Sequence, residues 1–153
     1  VVVYFIDLAE KRKSGGKYKN FYLLEETEDN ELLALSFKGT KENAAGVSLY
    51  LSSFLSKNGI EESRANRIAV AVEEMAASCA ERMEGKKKFA DIDIRIFADK
   101  NETIISVRDN GDEFDPLNDD KEFEMSPLTV VKAISDKVEY SRALGFNRTI
   151  IKL

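Results

Sequence analysis

The chain contains no histidine and no tryptophan among its 153 residues, and its single cysteine is Cys79. Without histidine, the protein cannot use a phospho-accepting histidine, a histidine general base or a Ser-His-Asp triad. A lone cysteine excludes an internal disulfide and a zinc site built from several thiolates. Any acid–base chemistry must therefore use carboxylates, lysine or tyrosine.

Long apolar runs and an excess of positive charge are also missing. No run approaches the roughly 20 apolar residues that a membrane-spanning helix requires. The net charge is −5 at pH 7, so we expect no general attraction to nucleic acid. Hydrophobic residues make up 43% and charged residues 33%, as in globular rather than disordered chains. These features predict a folded cytoplasmic domain.

The clearest linker signal is Ser14-Gly15-Gly16. It predicts an N-terminal extension over residues 1–29 and one folded domain over residues 30–153. Two interpretations of the extension stay open, an ordinary first strand or helix and the end of an upstream segment that tethers the domain to a membrane protein. Within the extension, residues 18–25 have the composition of an edge strand.

Apolar residues recur at helical spacing in two long segments. The first helix is predicted to begin after Thr40, a favourable N-cap, and to end at Asn58-Gly59. The second is predicted from Glu61 to Met83, and a short third helix over residues 128–135. The predicted buried stripes are Ala44, Val47, Leu51, Phe54 and Leu55 in the first helix, and Ile68, Ala71, Val72, Met75, Cys79 and Met83 in the second.

Strands are indicated by alternation of apolar and polar residues. Ile92, Ile94 and Ile96 alternate with charged residues, and residues 103–108 form the returning strand of a hairpin. Further strands are predicted at residues 32–37, 138–140 and 149–153. Few of these strands are joined through single helices, which argues against a doubly wound parallel sheet. The predicted fold class is α/β (α+β), a two-layer sandwich whose mixed or antiparallel sheet has its helices packed on one face.

Two polar patterns could carry chemistry. Glu74 and Ser78 lie four residues apart on one flank of the second helix, beside its apolar stripe. Asp109 directly follows a strand and opens the segment Asp109-Asn110-Gly111-Asp112-Glu113-Phe114-Asp115-Pro116. Taken singly, the first pattern is also typical of a solvated helix face and the second of an Asn-Gly turn. A calcium-binding EF-hand loop is excluded, because its glycine at position six is missing.

In this order, the motifs resemble those of the GHKL (Bergerat-fold, histidine-kinase-like) ATPases, most closely the branch of the anti-sigma-factor serine/threonine kinases. The helix motif of that branch, glutamate followed four residues later by asparagine, is matched by residues 74–78, and its glycine box by residues 109–116. The final part of the family pattern is matched by Asp136-Lys137-Val138-Glu139-Tyr140 and Gly145-Phe146-Asn147. The resemblance covers residues 30–153 and implies the Bergerat-type fold.

The resemblance also implies residue roles in binding ATP. Asp109 would bind the adenine amino group, Gly111 would let the base approach the backbone, and Thr149 would hydrogen-bond the adenine. Leu128 belongs to the phosphate-gripping turn and completes the predicted nucleotide contacts. Residues 110–127 would form a lid over the phosphates.

For the reacting end of the nucleotide, Glu74 would be the catalytic base and Ser78 would stand in the place of the Mg²⁺-binding asparagine. Ser78 offers a hydroxyl where the family has an amide oxygen, and Glu113 replaces the second glycine of the glycine box. Met125 and Pro127 replace both glycines of the phosphate-gripping turn, and proline has no N–H for a phosphate oxygen.

Negative charge is concentrated around the predicted lid. Residues 109–124 contain a single cationic residue, Lys121, against eight carboxylates: Asp109, Asp112, Glu113, Asp115, Asp119, Asp120, Glu122 and Glu124. Their field repels the phosphates of a nucleotide unless a metal ion offsets it.

The sequence therefore predicts an ATP-binding regulatory domain with weakened nucleotide binding and little catalysis. If active, it would be an ATP-dependent serine/threonine protein kinase using ATP with Mg²⁺, acting mainly by positioning. The expected partner is a regulatory protein of the anti-sigma-antagonist or sigma type, and homodimerisation stays open. The alternatives are a non-catalytic protein-interaction module (a pseudo-ATPase) and a regulatory domain of a longer, membrane-tethered protein.

Overall fold

The computed structural model describes residues 4–6, 31–118 and 127–153. The predicted strand at residues 18–25 and the turn residue Met125 lie outside these ranges. The elements follow one another in the order β1 (Tyr4–Ile6), β2 (Glu31–Lys38), α1 (Lys41–Lys57), α2 (Glu62–Arg82), β3 (Asp91–Ala98), β4 (Thr103–Asp109), α3 (Pro127–Ile134), β5 (Lys137–Ala143) and β6 (Phe146–Lys152).

The strands form one sheet in the order β1-β2-β3-β4-β6-β5. Every neighbouring pair is antiparallel. Of the mixed and antiparallel sheets that the sequence left open, the structure therefore has the antiparallel one. Alternate residues of β2, β3 and β4 join the helices in a single core. The predicted two-layer α/β sandwich is confirmed.

The core is built from the apolar stripes that the sequence predicted. Leu51 and Leu55 of α1, and Ile68 and Val72 of α2, are completely buried against the inner face of the sheet. The two stripe residues nearest the rim, Phe54 and Met83, are only partly buried. This packing holds α2 across β3 and β4, which positions the end of α2 beside the end of β4. None of the described helices combines the length and apolarity that crossing a bilayer demands.

Side chains define the helix ends. The Thr40 hydroxyl accepts a hydrogen bond from the Asn43 N–H at 3.1 Å, as expected for the predicted N-cap. At the start of α2, the Glu61 carboxylate accepts from the N–H groups of Ser63 and Arg64. The last residue of α2 is Arg82, whose cationic side chain suits the negative end of the helix dipole.

The hairpin between β5 and β6 is tighter than the sequence indicated. Ala143 pairs with Phe146, so the turn consists only of Leu144 and Gly145, both with positive φ (52° and 81°). Two positive φ values are typical of the type I′ turn, which matches the twist of the flanking strands. The strand β6 therefore starts before the predicted residue 149, and Asn147 lies within it, opposite Asp109 of β4.

The face of the sheet opposite the helices contains a buried carboxylate. Asp93 of β3 is only 5% exposed, accepts a hydrogen bond from the Ser36 hydroxyl at 2.5 Å and lies 3.4 Å from the Arg108 guanidinium. Burial raises the pKa of Asp93, against the lowering effects of Ser36 and Arg108. The cluster therefore makes stability depend on pH.

Asp93→Asn is expected to flatten that dependence. A carboxyl whose pKa is raised on folding contributes stability that is full below its unfolded pKa and lost as pH rises through the folded value. The free energy of unfolding of the original protein should therefore rise relative to that of the variant as pH falls from neutral towards about 4, the pKa of an aspartate in an unfolded chain. Urea unfolding at several pH values measures this difference, and a constant difference would contradict the prediction.

Candidate functional site

Asp109 is the last residue of β4, and its carboxylate is buried with 5% of the residue exposed. Its Oδ1 accepts hydrogen bonds from the Gly111 N–H and the Asn147 side-chain amide, both at 2.9 Å. Its Oδ2 lies 3.3 Å from Nη2 of Arg82. Protein donors therefore reach both oxygens of the carboxylate for which the family resemblance implied adenine binding.

Gly111 lies in a tight space beside this carboxylate. A Cβ atom at this position would lie 2.9 Å from Asp109 Oδ1, 3.5 Å from Met83 Sδ and 3.6 Å from Ala90 Cβ. The first distance is too short for real Cβ contacts, so a larger residue would displace the carboxylate or the turn. Glycine is needed here because the turn folds back onto Asp109.

Ser78 and Glu74 lie one turn apart on α2, as predicted. Ser78 is buried, and its hydroxyl accepts a hydrogen bond from Nη1 of Arg82 at 3.0 Å. Glu74 is half-buried, and the pKa of its carboxyl is raised first by burial and then by the neighbouring Glu73 and Glu81. A raised pKa makes Glu74 a stronger proton acceptor than an exposed glutamate when it is ionised.

One guanidinium group connects the two halves of the predicted site. Arg82 donates from Nη1 to Ser78 and from Nη2 to Asp109, so its head group lies between α2 and the end of β4. The ring of Phe114 covers it, with the ring centroid 4.3 Å from Cζ. We call this set of contacts the Arg82 bridge. The structure thus brings Ser78 and Asp109 to the same side of the sheet, with Arg82 and Phe114 filling the space between them.

Asn147 of β6 ties the turn after β4 to the sheet. Its amide nitrogen donates to Asp109 Oδ1 and, at 2.7 Å, to the Asp112 carbonyl. Its oxygen accepts from the Phe114 N–H, the Tyr140 hydroxyl and the Arg142 guanidinium, at 3.3, 2.9 and 2.7 Å. Asn147 is 2% exposed, so these bonds form away from water.

The two remaining predicted nucleotide contacts are buried. Thr149 lies two residues after Asn147 in β6, so it faces the same side of the sheet, and it is 3% exposed. Leu128 is the second residue of α3 and packs in the hydrophobic core at 3% exposure. The position of Leu128 gives it a packing role.

Cys79, next to Ser78, is buried in the core as the sequence predicted. Burial, followed by the negative charge of Asp109, raises the pKa of its thiol to about 12. The group therefore stays protonated at neutral pH, and a reactive thiolate at this position is not expected.

A separate cleft of about 410 Å³ lies along β5 and is lined by Leu117, Val138, Glu139, Tyr140, Ser141, Arg148 and Ile150. Its lining includes Leu117 of the predicted lid but none of the residues predicted to contact the nucleotide or to act in catalysis, so its shape carries no argument for nucleotide binding. Among the described residues, no group of three or more cysteines, aspartates and glutamates is arranged to hold a metal ion.

The structure is thus an α/β sandwich with an antiparallel sheet, helices on one face and a buried strand-end aspartate in contact with the end of a long helix. A family model, the histidine kinase-like ATPase domain, matches residues 37–153. The chain therefore belongs to the histidine kinase-like ATPase domain family. This membership implies ATP as the ligand, usually with Mg²⁺. No curated protein matches the chain.

The residues around the Arg82 bridge do not fit ATP and Mg²⁺ as they stand. The guanidinium fills the position from which an adenine amino group would reach Asp109 Oδ2. The Ser78 hydroxyl, in the place of the metal-binding asparagine, faces a cation at 3.0 Å. Mg²⁺ requires oxygen ligands at about 2.1 Å and would lie beside that positive charge.

Sequence reasoning missed two residues of this site. Arg82 follows Ser78 by four residues and Glu74 by eight, so helical spacing alone places it on the same flank. Asn147 stood in a recognised motif without a role, because three of its partners, Asp109, Asp112 and Phe114, lie more than thirty residues away along the chain.

Proposed function

We propose that the chain is a regulatory domain similar to the anti-sigma-factor serine/threonine kinases, which binds ATP weakly through Asp109 and transfers phosphate poorly. The observation that supports this best is the Arg82 bridge, which joins the predicted adenine and metal positions through one protein cation. The domain would act mainly by contact with a regulatory protein of the anti-sigma-antagonist or sigma type.

We expect weak binding because ATP would have to displace one protein contact and would lack another that the family provides. A site with a Kd of about 1 μM is worth ~8 kcal/mol. Each missing charge-assisted hydrogen bond costs ~1.5–3 kcal/mol. Competition by Arg82 for Asp109 and loss of the amide ligand at Ser78 are two such deficits, which brings the expected Kd into the millimolar range.

Poor phosphate transfer follows from the metal position. Glu74 retains a carboxylate that could accept a proton from a hydroxyl substrate, and its raised pKa favours that role. Phosphoryl transfer also needs cations that neutralise the developing charge on the phosphate oxygens. Ser78 is a poorer metal ligand than asparagine, and the acidic residues 109–124 do not supply that charge.

The second candidate is a non-catalytic protein-interaction module that retains the fold alone. It is favoured by the same bridge, because hydrogen bonds from Arg82, Gly111 and Asn147 stabilise Asp109 without any ligand. The two candidates differ in whether ATP binds at all.

Calorimetric titration with ATP, with and without Mg²⁺, separates them. We expect a Kd in the millimolar range from the heats of binding, and thermal unfolding should show a stabilisation of about 0.4 kcal/mol when free ATP equals Kd. Asp109→Asn should abolish it, whereas the exposed Asp136→Asn is the matched control and should leave it unchanged. Ser78→Asn should tighten binding only when Mg²⁺ is present.

No binding at millimolar ATP would leave the interaction module as the function. Micromolar, Mg²⁺-dependent binding by the original protein would contradict the weakened site. Unchanged binding by Asp109→Asn, with the fold verified by circular dichroism, would move the nucleotide to another surface.

A further inference from the structure

We propose that Arg82 is a displaceable internal competitor of the nucleotide, so that ATP binds only in molecules whose Arg82 side chain has left Asp109. This inference rests on the proposed function and names the regulation of that same site. In the closed state, Arg82 contacts Asp109 and ATP does not fit. In the open state, the Arg82 side chain has left Asp109 and ATP can bind.

Arg82 and an adenine amino group would compete directly, because each donates a hydrogen bond and both would donate to the carboxylate of Asp109. Arg82 Nη2 donates to Asp109 Oδ2 from 3.3 Å, whereas the other oxygen is held by Gly111 and Asn147. The oxygen that is free of backbone and sheet donors is therefore the one that Arg82 covers. An adenine amino group that bound Asp109, as proposed, would need the same oxygen, because Oδ1 already has two donors.

The bridge is held at both ends but is incompletely satisfied. Nη1 reaches Ser78 and the guanidinium packs against Phe114, whereas Nε of Arg82 is buried without a hydrogen-bond partner among the described residues. A buried donor without a partner costs free energy. The side chain is also 16% exposed, at the last residue of α2, so it has a route to solvent. These features are those of a contact that can open without unfolding α2.

The turn after β4 is coupled to the bridge. Phe114 covers the guanidinium, and its N–H is bonded to Asn147, which also holds Asp109. A partner protein that moved Phe114 would uncover Arg82 while Asn147 kept Asp109 in place. Such a partner would raise ATP affinity without touching the nucleotide, since it would shift the population towards the open state.

The size of the effect follows from the fraction of open molecules. The apparent Kd equals the intrinsic Kd divided by that fraction. If the charge-assisted bond of Arg82 holds the open fraction at about one in ten to one in a hundred, removing it tightens ATP binding about 10-fold to 100-fold.

The test is calorimetry with ATP on Arg82→Ala, with Arg67→Ala as the matched control because Arg67 is an exposed arginine of the same helix. We expect ATP to bind Arg82→Ala at least about 10-fold more tightly, Arg67→Ala to match the original protein, and Asp109→Asn to cancel the gain in the double variant. Unchanged or weaker binding by a folded Arg82→Ala would overturn the proposal, as would a gain that persists without Asp109.

A second measurement uses the original protein, so it does not depend on whether a variant folds. It follows the solvent exchange of the Arg82 guanidinium by nitrogen NMR. The Arg82 guanidinium signal should be protected from solvent exchange in the free protein and lose that protection as ATP is added. Protection that persists in saturating ATP would overturn the proposal. If the original protein binds ATP weakly and Arg82→Ala binds it no more tightly, the proposal for Arg82 is rejected and the proposed function stands. If the original protein binds ATP tightly, the proposed weak-binding function is rejected as well.

Discussion

Asn147→Leu is expected to lower the free energy of unfolding by about 3 kcal/mol, because one buried amide bonds the buried Asp109 and several partly buried groups at once. Leucine has a similar volume but no polar atoms, so the Asp112 carbonyl and the Phe114 N–H lose their bonds to Asn147. Asp109 loses one of its three donors and keeps those from Gly111 and Arg82. Each buried group left unpaired costs ~1–3 kcal/mol, and relaxation of the turn recovers part of the sum.

Denaturant unfolding measures this loss as a shift in the midpoint at constant slope. Asn101→Leu is the control, since Asn101 lies exposed in the turn between β3 and β4. It should change stability by no more than about 0.5 kcal/mol. A loss below about 1 kcal/mol for Asn147→Leu would mean that water replaces its bonds and that the turn is not fixed by this residue.

Leu51→Ala should cost about 2–5 kcal/mol. Leu51 is completely buried in α1 within the core that joins the helices to the sheet, so its removal loses apolar burial and leaves a cavity. Leu49 provides the matched control, because it is the same residue on the same helix with 77% of its surface exposed. Leu49→Ala should be nearly neutral.

Thermal and urea unfolding of both variants test this difference. Similar losses for the two would indicate that α1 is buried on its outer side in the assembled protein. A small loss for Leu51→Ala would require that α1 and α2 close the cavity by moving together.

Much of the fold could be predicted because each element carried a complete local signal. Thr40, Asn58 and the stripe of α1 agree on the position of that helix, and the alternation around Ile94 defines β3. The β5–β6 hairpin was harder, since Leu144 adopts a positive φ that leucine rarely takes. Residue preferences therefore do not predict a two-residue turn at Leu144 and Gly145.

The candidate site was predictable only in part. Motif order placed Asp109 and Ser78 in one site, and the structure brings them to a common guanidinium. It gave no role to Arg82, because a cation in the last turn of a helix is usual for reasons of the helix dipole alone. The role depends on which group the side chain faces across the fold, and spacing within α2 does not contain that information.

The Arg82 bridge fastens the end of α2 to a turn nearly thirty residues later in the chain, and Asn147 fastens that turn to β6. Under the competitor proposal, ATP reaches Asp109 only when this contact opens, so ligand access would be gated. Diffusional encounter would then set the rate of association only at low ATP, and at high ATP the rate would level off at the frequency with which the bridge breaks. At high ATP, the speed of the response would then be set by the motion of one arginine side chain and not by the nucleotide concentration.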